Sequence, residues 1–148
     1  DGIKKYAAEV GAADSLFLAI EDKESDEYET GYRQTLAALA KNPEIDAVIG
    51  VNDLVAIGAM NACKSAGVSD ITIVGFDGNA SAVKLILDGE LVKATVAQQP
   101  YEMGYQVVEA AVKAVKLEPV DEVINAPVQV VTAENGQAYL DNLEAMKG

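Results

Sequence analysis

Short apolar runs alternate along the chain with longer stretches whose apolar residues recur every three or four positions. SLFLAI (15–20), DAVIGV (46–51), DITIVGF (70–76), LVKATVA (91–97) and VQVVT (128–132) have the length and content of buried or half-buried strands. Helical spacing fills the intervals. GIKKYAAEV forms a first helix closed by Gly11, and GYRQTLAALAKNP places Tyr32, Leu36 and Leu39 on one face before Asn42-Pro43 stops it. The polar, acidic EDKESDEYET precedes that second helix. DLVAIGAMNACKSAG is a third helix with Gly67 as its C-terminal cap, and a fourth lies near ASAVKLILDGE. Pro100 is suited to open the longest one, through YEMGYQVVEAAVKAVKL, because a first-turn residue needs no N–H partner. EPVDEVINAP reads as a loop, and NGQAYLDNLEAMKG as a short helix with a frayed end.

Strands alternating with helices in this way build parallel βαβ units, so the chain is expected to be an α/β protein with a mainly parallel sheet. Its 148 residues, half of them hydrophobic, suffice for a single core, and 1–148 is expected to fold as one lobe. No apolar run approaches the roughly 18 residues of a membrane-crossing helix. A start at Asp1 without Met leads to the expectation of a processed or excised piece.

Charge narrows the function classes. A net charge of −13, with Arg33 the only arginine, is the wrong sign for a surface that neutralises phosphates, so no nucleic-acid partner is expected. The absence of histidine removes His-based triads and most zinc sites. Cys63, the only cysteine, sits in a helical context that suits a small buried residue better than a nucleophile. Gly75 and Gly78 belong to neither GxGxxG nor GxxxxGK[ST], so they form no phosphate loop.

In an open parallel sheet, ligands sit beyond the carboxyl ends of the strands. Three successive strands end there in a polar residue: Asn52 after DAVIGV, Asp77 after DITIVGF and Gln98 after LVKATVA. An amide, a carboxylate and an amide on one edge offer donors and acceptors suited to neighbouring hydroxyls. A hydrogen bond to a charged group contributes about 1.5–3 kcal/mol, so three such residues with apolar stacking reach micromolar affinity, about −8 kcal/mol. A local reading competes: Asn52 and Asp77 are both good helix N-caps. Gln98 is a poor cap, and Pro100 already starts the following helix. An enzyme with Asp77 as acid or metal ligand is a further reading, with Glu21 and Asp22 as partners in a hard-cation site.

VNDLVAIGAMNACKSAG, DITIVGFDG, ILDGELVKATVAQQPYEMG and the final VVTAENGQAYL together resemble the periplasmic sugar-binding proteins of ribose-binding type. The order ND…GFDG…DGxLxATVAQ-x-P is more specific to these transport proteins than to the related LacI-type repressors, whose effector-binding lobe is the alternative. The resemblance implies one lobe of a two-lobed type I periplasmic binding protein, a three-layer αβα sandwich without its N-terminal lobe. It implies a non-catalytic sugar-binding component of an ABC transporter, closing around a monosaccharide and handing it to the permease. The family's polar sugar contacts fall on Asn52, Asp77 and Gln98; no cofactor, metal or catalytic residue is implied. A periplasmic or extracytoplasmic location follows, with a lipid anchor in a Gram-positive source. The family arginine before Asp1-Gly2 lies upstream of this chain, and the place of the sugar-stacking aromatic holds Asp26, with Tyr28 the nearest aromatic. The resemblance also implies that 100–126 crosses to the missing lobe. Met103, Val107, Val108, Ala111, Val112 and Val115 give that helix a broad apolar face. The expectation is that it folds back on the sheet edge or pairs with a second copy, giving a homodimer through 101–117.

Overall fold

The computed structural model describes residues 2–11 and 27–146. The SLFLAI run, Glu21, Asp22 and Asp26 lie outside the described residues. Helix α1 (Gly2–Glu9) is followed by α2 (Glu27–Lys41), β1 (Ala47–Ile49), α3 (Asp53–Ser65), β2 (Thr72–Asp77), α4 (Ala80–Leu87), β3 (Val92–Gln98), α5 (Pro100–Val115), β4 (Val128–Val131) and α6 (Gly136–Ala145).

Each described strand lies on a run that the sequence places there; β1 and β4 are shorter than their runs, whereas β2 and β3 start late and extend one residue further, to Asp77 and Gln98. Helix α2 runs from Glu27, inside the acidic stretch that precedes the expected helix. Glu27 and Glu29 sit in its first turn, where negative side chains meet the positive end of the helix dipole.

The sheet order is β1-β2-β3-β4, with β1, β2 and β3 parallel and β4 antiparallel to β3. Right-handed crossovers that advance steadily in one direction must place α3 and α4 on the same sheet face. The core follows from this. Ala56, Ala59, Met60 and Cys63 of α3, Leu39 of α2 and Ile86 of α4 bury against Ile73 of β2 and Val92 of β3. Val83 of α4, Ala97 of β3, Val131 of β4 and Tyr139 of α6 form a second cluster. Burial raises the pKa of the Cys63 thiol, which suits packing and not nucleophilic attack.

Two small residues let α2 and α3 meet backbone to backbone. A Cβ on Gly31 would collide with the Val55 carbonyl, and one on Gly58 with the Tyr28 carbonyl. Tyr28 and Tyr32 seal this seam: the Tyr28 hydroxyl accepts from Asn61 Nδ2 at 3.1 Å, and the Tyr32 hydroxyl donates to Ser65 Oγ at 3.1 Å. On the opposite sheet face, Ile49, Phe76, Val128 and Val130 are exposed.

Helix α5 departs from the pattern. It begins at Pro100, as its sequence dictates, yet none of its residues is buried. Val107, Val108, Val112 and Val115 all face solvent. The expected folding back onto the sheet does not occur: α5 continues directly from the end of β3 with none of its residues buried. Among the described residues, no helix is long and apolar enough to cross a membrane.

A polar edge built from three strand ends

The three parallel strands end side by side, and the register fixes what emerges there. Asp77 lies opposite Ala97, one residue before Gln98, and Gln98 lies opposite Val128 at the start of β4. Gln98 Nε2 donates to Asp77 Oδ1 at 2.6 Å, so two of the three candidate residues are in direct contact. Both remain accessible to solvent. Asn52, past the end of β1, takes the N-cap of α3: its Oδ1 accepts from Val55 N at 2.9 Å. Capping therefore engages Oδ1 and leaves Nδ2 without a partner among the described residues.

Asp77 is not a cap. The N-cap of α4 is Asn79, whose Oδ1 accepts from Ser81 N at 3.0 Å. Asp77 also has a φ of 112°, a region that residues with a Cβ rarely adopt. Strain of this kind persists only where the surroundings over-determine it.

Those surroundings are three buried side chains. Thr95 Oγ1 accepts from Gly78 N at 3.2 Å, and the Tyr139 hydroxyl donates to the Gly78 carbonyl at 3.0 Å. Asp53 Oδ2 accepts from Asn79 N at 2.6 Å. Gly78 itself has φ 74°, and a Cβ there would strike the Tyr139 hydroxyl and Ala97. Gly75 leaves room on the same sheet face for Asp53, whose carboxylate would clash with any side chain at that position.

Asp53 is the residue that sequence reasoning missed. As the first residue of a helix it looks like a solvated dipole partner, yet it is 1% exposed. Its Oδ1 is buried without a hydrogen-bond partner among the described residues. Burial raises its pKa above the ordinary carboxylate value. The Thr95 hydroxyl and the Asn79 amide oppose this, the Asp77 charge adds to it, and the Gly78 amide again lowers it. The one signal in the sequence was Gly75, a strand residue without a side chain two positions before Asp77.

No group of three or more acidic or cysteine side chains among the described residues is placed to hold a metal. Tyr28, the nearest aromatic to the expected stacking position, commits its hydroxyl to the α2–α3 seam.

The fold has relatives among known proteins. The chain is 44% identical over 82 residues to the ribose import binding protein RbsB of Escherichia coli K12, covering 55% of this chain and 27% of that protein. A solute-binding protein of an ABC transporter from Agrobacterium vitis, solved with bound D-fucose, superposes with a TM-score of 0.71 at 30% identity. That match covers 90% of this chain and 46% of the other. A solute-binding protein from Bacillus halodurans C-125 with bound myo-inositol gives a TM-score of 0.72 at 28% identity, over 93% and 47% of the two chains. The chain thus spans about half the length of these solved relatives. Residues 1–119 match the family model described as periplasmic binding protein domain, and the chain belongs to that family.

Proposed function

We propose that this chain is one lobe of a sugar- or polyol-binding component of an ABC transporter, and that the strand-end edge is its half of the ligand cleft. The observation that carries the reading is the Asp77–Gln98 pair at neighbouring strand ends. It is a charged acceptor and an amide donor, exposed together and backed by a rigid turn. Vicinal hydroxyls match such a pair, because each hydroxyl both donates and accepts. Asn52 Nδ2 adds a donor from the next strand end.

The mechanism is non-catalytic. Asp77 accepts from a ligand hydroxyl, Gln98 and Asn52 complete the polar edge, and a second lobe closes over the other side. Closure is a population shift driven by contacts to both lobes. The segment 100–126 crosses to that second lobe, which accounts for an α5 without buried residues. Delivery to a permease and a periplasmic or extracytoplasmic location belong to the same reading. The relatives above are import and solute-binding proteins, and they give the regulator alternative no support.

The test is an NMR titration of this chain with D-ribose, D-fucose and myo-inositol. The expected result is weak binding, with shifts concentrated at Asn52, Asp77 and Gln98. Submicromolar affinity for the single lobe, or shifts centred elsewhere, would overturn the proposal.

A further inference from the structure

We infer that Asp53 is a positioning residue for the ligand contact: from inside the core it holds the Asp77–Gly78–Asn79 turn in the backbone conformation that presents Asp77 to the edge. The inference rests on the ligand reading above for its functional half, and on geometry alone for its structural half.

Three facts converge on it. Asp77 has a backbone conformation that it would not keep unaided. The two residues after it are held by hydrogen bonds from three separate elements: Asp53 of α3, Thr95 of β3 and Tyr139 of α6. Of these three, only Asp53 is a carboxylate, and it is sunk to 1% exposure with one oxygen unpartnered. A buried carboxylate with an orphaned oxygen is a costly way to hold one amide in place. A neutral acceptor would satisfy Asn79 N as well. The carboxylate adds a short charge-assisted bond of 2.6 Å, which fixes the turn more tightly than a neutral one. Asn52, one residue earlier, caps α3. The Asn52-Asp53 pair thus ties the end of β1 to the turn after β2, so two ligand-facing residues share one anchor.

The experiment uses this chain, labelled for NMR. Asp53→Ala should move the backbone couplings and Cα shifts of Asp77, Gly78 and Asn79, and weaken the response of Gln98 to D-ribose about tenfold. Asp53→Asn keeps an acceptor oxygen without the charge and should restore both in part. In the parent chain the Asn79 amide shift should titrate with a midpoint above the ordinary carboxylate range, and Asp53→Asn should abolish that titration. Asp77 and Tyr139 are the titratable groups coupled to Asp53, so both variants retain them. Should Asp53→Ala fail to fold, Asp53→Leu, which fills the same space without an acceptor, takes its place, and a displaced Asp77 in it upholds the clamp. An Asp77 conformation unchanged in whichever of the two variants folds overturns it. A displaced Asp77 in Asp53→Ala, together with a parent chain that answers no sugar, upholds the positioning and overturns the ligand reading alone.

Discussion

Gln98 Nε2 lies 2.6 Å from Asp77 Oδ1, across two strands that the chain reaches twenty-one residues apart. The contact links the end of β3 to the end of β2 on the open edge of the sheet, and it orients each side chain by the other. It also sets an acceptor beside a donor without burying either, which is the arrangement a polyhydroxyl ligand needs.

Replacing Asp77 separates binding from stability. On the proposed reading, Asp77→Asn in the longer, two-lobed protein should weaken sugar binding about 10- to 100-fold, the value of a hydrogen bond to a charged group. The fold should be unaffected, because the side chain is exposed. Asp77→Gly should lose binding equally while gaining about 1 kcal/mol of stability, since glycine accepts φ 112° without strain. Calorimetric titration and urea unfolding on the same samples check both halves. A destabilised Asp77→Gly would show that the backbone there is not strained.

Asp53 should leave a mark on the pH dependence of folding. Its folded pKa is raised, chiefly by burial. A raised acid contributes stability that is full below its unfolded pKa, about 4, and that is lost as pH rises through the folded value. Asp53→Asn removes this titration and leaves the other carboxylates in place. The stability of the parent chain minus that of Asp53→Asn should therefore fall as pH rises from below 4 toward neutrality. Urea unfolding at intervals across that window measures the difference, and a flat difference would contradict a buried, ionising Asp53.

Much of this architecture was legible in the pattern of residues, for identifiable reasons. Strands β1, β2 and β3 are apolar runs bounded by polar residues, and Pro100 and Gly67 mark helix ends through backbone geometry alone. The strand-end positions of Asn52, Asp77 and Gln98 follow from counting βα units. What stayed hidden depends on tertiary contact. Nothing local distinguishes Asp77 from Asn79 as the cap of α4; the choice is made when Thr95, Tyr139 and Asp53 fix the turn. The register shift between the Ile73–Val92 and Val74–Ala94 pairs is likewise invisible in either strand alone. Asp53 could not be read as buried, because its burial depends on a glycine in another element.

Two glycines in helices should answer an added methyl in opposite ways. At Gly58 a Cβ would run into the Tyr28 carbonyl and the Tyr32 amide of α2. Gly58→Ala must push the two helices apart and should cost about 1–3 kcal/mol, the range for overpacking. At Gly104 of α5 a Cβ meets nothing within 4 Å. Gly104→Ala should instead favour the helix by about 1 kcal/mol, seen as slower amide exchange in α5. Equal effects at the two positions would mean that α2 and α3 do not touch backbone to backbone.

The exposed stripe on α5 gives the last prediction. Val108, Val112 and Val115 recur at helical spacing, and none is buried. Together with Tyr105 they form a face too apolar to stay in water when a like surface is available. On the proposed reading, a second lobe covers it in the longer protein. In the isolated chain, we propose, a second copy does. Light scattering should then give a mass above that of one chain at high concentration, falling to the monomer value on dilution. Val108→Asp with Val112→Asp should hold the chain monomeric at every concentration. The double variant should leave the urea midpoint of the core unchanged, because neither side chain contributes to the buried clusters. A parent chain that is monomeric throughout would rule out the pairing, and a shifted midpoint in the double variant would show that α5 packs on its own sheet in solution.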